Sequence, residues 1–249
     1  MTELRNKRVK RIAAVVLAAL LTGGALFLWN YLKPYPPEGA AESALVSSGG
    51  ISVETNDNWI SFEPAAAAGP GMILYPGALV ESEAYAPLAR QLADAGYPVY
   101  IARMPLNLAV IDPSAAEDIL RVHPNQSFVI GGHSLGGVMA SRYASEHADR
   151  LKGVFFLASY PDAKGSLRKT TLSVLSVLGT EDSVIDREAY REGRNYLPDN
   201  TVYYTIEGGN HAQFGSYGPQ KGDGEARIPE TRQRDITVRT LLDWMGNLQ

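Results

Sequence analysis

The chain has 249 residues, of which 45% are hydrophobic and 20% are charged, and this composition is typical of a globular protein with a large core. The net charge is -4 and the body of the chain carries no basic stripe, so we expect no nucleic-acid partner. The sequence contains no cysteine, which excludes disulfides, thiolate metal sites and a lipid-bearing cysteine.

The N-terminal residues predict a membrane anchor. Residues 1–11 carry a basic cluster and residues 12–32 contain no charge, so this second segment is long enough to cross the roughly 30 Å hydrocarbon core of a bilayer. The positive-inside rule places residues 1–11 in the cytoplasm and the remainder of the chain outside the cell membrane, as a single-pass protein. The alternative is a cleaved signal peptide and a secreted domain, although such peptides have a shorter apolar region of about 7–15 residues.

The rest of the chain predicts one domain. Residues 33–50 are rich in Pro, Gly, Ala and Ser and predict a linker, so the domain is expected at 51–249. Runs of strand length occur at 59–64, 71–75, 99–102, 127–131, 153–158, 172–178 and 201–206. Helical patterns lie between most of them, and two such patterns span 185–197 and 230–248. This alternation predicts a doubly wound, mostly parallel sheet, with 59–64 as an antiparallel edge strand.

The most informative motif is G-x-S-x-G at residues 132–136. It follows an apolar strand pattern and precedes a helical one, which is the context of a nucleophile elbow. The turn is sharp, and glycines at 132 and 136 leave room for it. The motif predicts Ser134 as a nucleophile at a helix N-terminus, where N–H groups stabilise negative charge. It does not match G-x-G-x-x-G, so dinucleotide binding is not expected.

A serine nucleophile requires a base, which is usually a histidine oriented by a carboxylate. Of the four histidines, His211 lies in a glycine-rich loop after a predicted strand, where doubly wound sheets bind their ligands. His133 lies inside the elbow, and we expect it to pack away from Ser134. His123 is expected at a helix end, and His147 in an exposed charged segment.

Asp182 is the predicted orienting acid. It follows the strand predicted at 172–178 and precedes His211, in the Ser, acid, His order of this fold class. Capping of the next helix is the competing role for Asp182. The alternative acids near the same strand ends are Asp162, Asp186 and Glu181.

An oxyanion formed at Ser134 requires two N–H donors. Leu135, the residue after the nucleophile, is the first predicted donor. The second is predicted in the loop that follows the strand at 71–75. Ala78 is the favoured residue there and Leu79 the alternative, because Gly77 allows the backbone to approach closely.

Together these segments resemble the α/β-hydrolase family, in particular its small, dienelactone-hydrolase-like bacterial esterases. The motifs that carry the resemblance are Tyr75–Val80, Gly131–Gly137, Leu178–Asp182 and Gly208–Gly215. The resemblance implies an α/β-hydrolase fold and a Ser134–His211–Asp182 triad. Dienelactone hydrolases proper have cysteine as the nucleophile, so the serine in this chain favours ester hydrolysis.

The sequence therefore predicts a membrane-anchored serine hydrolase that cleaves small acyl esters without a metal or cofactor. The segment 220–225 is acidic but lacks the spacing of a calcium loop, and we interpret it as a solvated turn. Only 159–171 separate two predicted strands, so no cap domain is expected and the site should be open. The predicted substrate contacts are Tyr160, Asn107 and Phe214. The alternative hypothesis is a non-catalytic binding or scaffold protein with the same fold.

Overall fold

The computed structural model describes residues 16–20, 22–24 and 32–248. The chain divides into two units, Met1–Pro34 and Tyr35–Gln249. In the first unit, residues 16–20 and 22–24 are helical, while the basic segment 1–11 and most of the predicted anchor 12–32 lie outside the described residues. Within the part of the chain that is described, no helix is both long and apolar enough to cross a bilayer.

One sheet of eight strands organises the described part of the second unit. The strands are β1 (Ile51–Thr55), β2 (Trp59–Pro64), β3 (Gly71–Tyr75), β4 (Val99–Ala102), β5 (Phe128–His133), β6 (Gly153–Leu157), β7 (Ser173–Gly179) and β8 (Val202–Ile206). Their order in the sheet is β1-β2-β4-β3-β5-β6-β7-β8. Strands β3 to β8 run parallel to one another, and β2 pairs antiparallel with both β1 and β4. The prediction of a mostly parallel sheet is confirmed.

The strand order reverses at β3. The chain passes from β3 to β4 on one side, and β5 then returns to pair with β3 on the other side. Such a reversal opens a crevice at the carboxyl ends of the two central strands, and ligands of doubly wound sheets bind there. Strand β5 leads directly into the predicted elbow and β3 leads into the predicted oxyanion loop, so both segments border this crevice.

The antiparallel edge of the sheet contains one strand, β1, that was not predicted. The predicted edge strand, β2, is covered by β1, which forms a hairpin with it. Strand β1 has only five residues, and its alternating pattern buries Ile51 while most of its other side chains remain exposed. Burial on one face leaves a weak apolar signal, so the sequence analysis missed this strand.

Six helices accompany the sheet in the described residues of the second unit. They are α1 (Ala41–Ala44), α2 (Ala86–Asp94), α3 (Ala116–Val122), α4 (Leu135–Glu146), α5 (Arg187–Gly193) and α6 (Glu230–Gly246). The core forms two clusters, because successive strand residues point to opposite faces. Phe155 packs in the cluster that includes α2 and α6, while Phe156 packs in the cluster that includes α3 and α4.

Two helix boundaries differ from the predictions. The helix predicted at 185–197 begins at Arg187, because the Asp186 carboxylate caps it by accepting from two backbone N–H groups at 2.9 and 3.0 Å. It ends at Gly193 and continues as the short 3-10 turn Arg194–Tyr196. The closing helix ends at Gly246, two residues before its predicted end.

Residues 35–50, which form most of the predicted linker 33–50, pack against the domain. The backbone N–H of Tyr35 donates to the Leu79 carbonyl at 2.6 Å, and Ala41 is fully buried. The guanidinium of Arg90 on α2 donates to the carbonyls of Val46 and Ser48 at 2.7 and 2.8 Å. The compact unit therefore begins at Tyr35, next to the predicted oxyanion loop.

We expect the buried side chains of β6 to contribute strongly to the stability of the domain. Phe155 is fully buried, and its ring lies 6.5 Å from that of Trp244 on α6. The substitution Phe155→Ala should lower the free energy of unfolding by about 3–5 kcal/mol, because it removes buried surface and leaves a cavity. Urea denaturation measures this loss. Val202→Ala, on the exposed strand β8, should change stability by less than about 0.5 kcal/mol, and equal losses in the two variants would contradict the packing.

Candidate active site

Ser134 forms the sharp turn between β5 and α4. Its backbone angles are φ 52° and ψ −125°, a strained conformation for a residue with a side chain. The turn presses against β3: a Cβ atom at Gly132 would lie 2.5 Å from the Tyr75 carbonyl oxygen, and one at Gly136 would lie 2.2 Å from it. Glycine is therefore required at both positions, as the G-x-S-x-G motif predicts.

Two hydrogen bonds hold this strained turn. The backbone N–H of Ser134 donates to the Leu157 carbonyl at the end of β6, at 3.0 Å. The buried hydroxyl of Ser159 donates to the Ser134 carbonyl at 2.6 Å. The end of β6 and the nearby Ser159 thus fix the backbone of Ser134, while the Ser134 side chain is half-buried.

The predicted acid and base meet in the structure. His211 Nδ1 lies 2.9 Å from Asp182 Oδ2, and the two side chains are 2% and 0% exposed. The other carboxylate oxygen of Asp182 accepts from the N–H groups of Val184 and Ile185, at 3.0 and 2.9 Å. Because Asp182 accepts the Nδ1 proton, we assign the neutral ring the tautomer in which Nε2 is the free acceptor.

The alternative acids are engaged elsewhere. Asp162 accepts from Arg142 Nε at 3.1 and 3.2 Å and from the Gly165 N–H at 3.0 Å. Burial alone would raise the pKa of Asp162, but the Arg142 hydrogen bond and the Gly165 N–H outweigh it, so the pKa is lowered. Asp186 caps α5, and Glu181 pairs with Thr180 and Arg227. Among the described carboxylates, only that of Asp182 is bonded to His211.

The structure places His211 against the elbow without bonding it to the nucleophile. The His211 ring lies 4.6 Å, between centroids, from the ring of His133, the residue before Ser134. His211 Nε2 is buried and has no hydrogen-bond partner among the described residues. The Ser134 hydroxyl also makes no hydrogen bond within the described ranges. The acceptor that a triad requires is thus present and free beside the elbow.

His133 packs against the candidate base and the oxyanion loop. The Tyr85 hydroxyl accepts from the Gly77 N–H at 2.9 Å and lies 2.8 Å from His133 Nδ1. Because the Tyr85 oxygen already accepts one hydrogen bond, we assign its proton to the bond with His133. A Cβ atom at Gly77 would lie 2.8 Å from His133 Nδ1, so this ring lies directly beneath the loop.

Burial keeps His133 neutral. Loss of hydration disfavours the charged ring, and the neighbouring imidazole of His211 disfavours it further, so the pKa of His133 lies well below its usual range. Burial also raises the pKa of the Tyr85 hydroxyl, which keeps its proton and remains able to donate. The site therefore contains two neighbouring imidazoles, of which the one at 133 carries no charge at neutral pH.

The geometry favours Ala78 over Leu79 as the second oxyanion donor. The Leu79 N–H donates to the Asn107 carbonyl at 2.8 Å and is occupied. The Ala78 N–H has no acceptor within the described part of the chain. The N–H of Leu135 is the first of α4 and has no partner in its own helix. Both predicted donors are therefore free.

The predicted substrate contacts lie in different surroundings. Phe214 is buried, and its ring is 5.9 Å from that of His133, which places it in the wall of the site. Asn107 has a left-handed φ of 55° and supports the oxyanion loop through its carbonyl. It lines a cavity of about 370 Å³ that does not include Ser134. Tyr160 is half-buried after β6.

The sequence analysis missed residues that support the site, and Gln233 is a clear case. Its side chain is fully buried on α6, accepting from the Asn210 N–H at 3.0 Å and donating to the Asn210 carbonyl at 2.8 Å. It therefore holds the backbone of the residue before His211. In the sequence, Gln233 is one polar residue in a largely polar helix. Its role becomes visible only from its hydrogen bonds to Asn210 in the structure.

Comparison with known proteins identifies the family. The model of the alpha/beta hydrolase family matches residues 71–235, so the chain belongs to the alpha/beta hydrolase family. The resemblance found in the sequence is confirmed. No curated protein matches the chain.

Solved structures share the fold at low identity. A CIB-like hydrolase from Thermoplasma acidophilum is 18% identical with a TM-score of 0.59, over 78% of this chain and 100% of its own. The carboxylesterase CesB from Bacillus subtilis is 10% identical with a TM-score of 0.58, over 84% and 95%. An esterase from Mycobacterium tuberculosis is 14% identical with a TM-score of 0.56, over 82% and 95%. At these identities the likeness shows the fold.

The neutral His133 predicts a pH-dependent stability. Its folded pKa is depressed, so below about pH 6.5 the unfolded chain binds a proton that the folded chain does not, and stability falls as the pH falls. The contribution of one such group is at most about 1.4 kcal/mol per pH unit. Urea unfolding at pH 7 and pH 5 should therefore show a smaller loss in His133→Asn than in the wild type. Equal losses would show that His133 is not held neutral.

Proposed function

We propose that this chain is a serine hydrolase that cleaves small acyl esters through Ser134, His211 and Asp182. The observation that carries the proposal is the fully buried hydrogen bond between His211 and Asp182, which leaves Nε2 without a partner in a ring 4.6 Å from that of His133, the residue before the strained Ser134. A histidine held in this tautomer beside a serine is the arrangement that activates a hydroxyl nucleophile.

The reaction proceeds by acyl transfer in two steps. His211 Nε2 takes the Ser134 proton as Oγ attacks the ester carbonyl carbon, and Asp182 stabilises the imidazolium. The Leu135 and Ala78 N–H groups donate to the tetrahedral oxyanion. Collapse breaks the bond to the alcohol, which leaves with the proton from His211. Water then attacks the acyl-enzyme with His211 as the base, releasing the acid and restoring Ser134.

The hydrogen bond between Ser134 and His211 forms in the complex with substrate. Neither atom has a hydrogen-bond partner among the described residues, and catalytic hydrogen bonds are often completed only when the substrate binds. The strained backbone keeps the side chain at the crevice.

The connection between β6 and β7 supports small acyl groups as substrates. The only helical element in its described residues is the short 3-10 turn Ala163–Gly165. This connection therefore forms no cap domain over Ser134. Relatives of the same fold are named a carboxylesterase and an esterase, which agrees with ester cleavage. An uncapped site suits substrates that need no enclosing lid.

A fluorophosphonate probe tests the nucleophile and the acid. The wild type should become covalently labelled and Ser134→Ala should not, because the probe reacts with an activated serine hydroxyl. Asp182→Asn should label at least about 10³-fold more slowly, because the amide does not hold the imidazole in the correct tautomer.

Asp162→Asn is the matched control for Asp182→Asn. Its carboxylate binds Arg142 away from His211, so its labelling should match that of the wild type. If both variants were labelled equally slowly, Asp182 would have no specific role in the mechanism. A folded wild type that neither labels nor hydrolyses acyl esters would instead support the non-catalytic scaffold.

We further propose that residues 12–32 anchor the chain in the cell membrane with the hydrolase domain outside. The uncharged segment and the basic residues before it support this proposal. The full chain should sediment with membranes and require detergent for release, whereas a chain starting at Tyr35 should remain soluble. That start point preserves the contacts of Tyr35 with the domain. A shortened protein released without detergent would indicate a cleaved signal peptide.

A further inference from the structure

One loop segment joins the two halves of the acid–base pair. Asp223 and Gly224, which we call the clasp, lie in the loop between β8 and α6. Asp223 Oδ2 accepts from the Ala212 N–H at 2.9 Å, and Oδ1 accepts from the Ser183 N–H at 3.3 Å. These donors belong to the residues that directly follow His211 and Asp182 in the chain.

The backbone of the clasp makes further contacts with the same two loops. The Gly224 carbonyl accepts from Asn210 Nδ2 at 2.8 Å, so it also binds the residue before His211. A Cβ atom at Gly224 would lie 2.0 Å from the Glu181 carbonyl oxygen, beside Asp182. Only glycine allows this approach, and the clasp therefore fits tightly between the two loops.

The two loops that Asp223 joins follow different strands. Asp182 follows β7 and His211 follows β8, and the hydrogen bonds between these strands end at Gly179 and Ile206. Beyond that point, the loops bond directly through the Glu181 N–H to the Gly209 carbonyl and the Gly208 N–H to the Thr180 hydroxyl, each at 2.8 Å. Asp223 adds contacts to the residues that directly follow Asp182 and His211. Hydrogen bonds to a charged carboxylate are stronger than those to a neutral acceptor, so one aspartate bound to both loops restrains their separation effectively.

The oxygens of Asp223 do not fit a cation site. Both accept backbone N–H groups, and the Gly224 N–H also donates to Oδ1 at 2.8 Å. Within the described residues, no group of three or more carboxylates and histidines is placed to hold a metal ion. The segment 220–225, interpreted from sequence as a solvated turn, contains instead an internal acceptor for two neighbouring loops.

We propose that Asp223 is a positioning residue that sets the geometry of the His211–Asp182 hydrogen bond through the backbone. The inference rests on the proposed function, since it assigns a task within that triad. Asp223 contacts the N–H groups of residues 183 and 212 and acts on catalysis only through them. A misplacement of about 1 Å in such a group costs about 10²-fold in rate.

Steady-state kinetics of the full chain with a short acyl ester test this proposal. Asp223→Ala should lower kcat about 10²-fold while KM changes less than about threefold, because the acid–base pair is displaced and the substrate contacts are not. Asp223→Asn should lie between the wild type and Asp223→Ala. Its remaining oxygen accepts from only one of the two loops, while its amide group faces an N–H of the other.

Glu225→Gln is the matched control. It removes an equal charge from an exposed side chain two residues away that makes no hydrogen bond among the described residues, so its kcat should equal that of the wild type. An equal loss of kcat in Glu225→Gln would show a general effect of charge and overturn the positioning role.

Proton NMR separates positioning from simple stabilisation. The Nδ1 proton shared by His211 and Asp182 should give a strongly downfield signal in the wild type and Glu225→Gln. It should shift upfield or vanish in folded Asp223→Asn. If Asp223→Asn had a lower melting temperature but an unchanged kcat and an unchanged Nδ1 proton signal, the proposal would be overturned. If the wild type itself neither hydrolyses the ester nor reacts with the fluorophosphonate, the proposed function fails instead.

Discussion

The hydrogen bond between His211 and Asp182 is the interaction on which the candidate site depends. It is fully buried and joins loops that follow different strands, and neighbouring residues hold each partner in place. The Val184 and Ile185 N–H groups hold the carboxylate, and Gln233 holds the backbone before His211. Because a buried carboxylate is costly without donors, the satisfied acceptors of Asp182 explain how the pair remains stable in the core.

A second network links the base to the oxyanion loop. The Tyr85 hydroxyl bonds to both Gly77 and His133, and the His133 ring lies against that of His211. The loop, the elbow and the base thus form one packed layer at the carboxyl ends of β3, β5 and β8. Since His133 is neutral, it packs beside His211 without repelling the imidazolium that the proposed acyl transfer would generate.

The sequence indicates the site residues that directly follow strands. Ser134, Asp182 and His211 each follow an apolar run, and the sheet brings the ends of parallel strands to one edge. The supporting residues do not show such a pattern. Tyr85 reaches His133 across 48 residues and Asp223 reaches Ser183 across 40, so their roles arise from tertiary contacts alone. Strand β1 was missed for a related reason, because it is short and mostly exposed.

The contact between Leu79 and Asn107 fixes the shape of the predicted oxyanion loop within the protein itself. The Asn107 carbonyl occupies the Leu79 N–H, which leaves that of Ala78 as the free donor of the pair. Dipoles fixed in this way need no reorganisation as negative charge develops on the carbonyl oxygen. Under the proposed function, recognition of the reacting carbonyl would be the same for every ester, and discrimination between esters would depend on the side chains around the rim of the crevice.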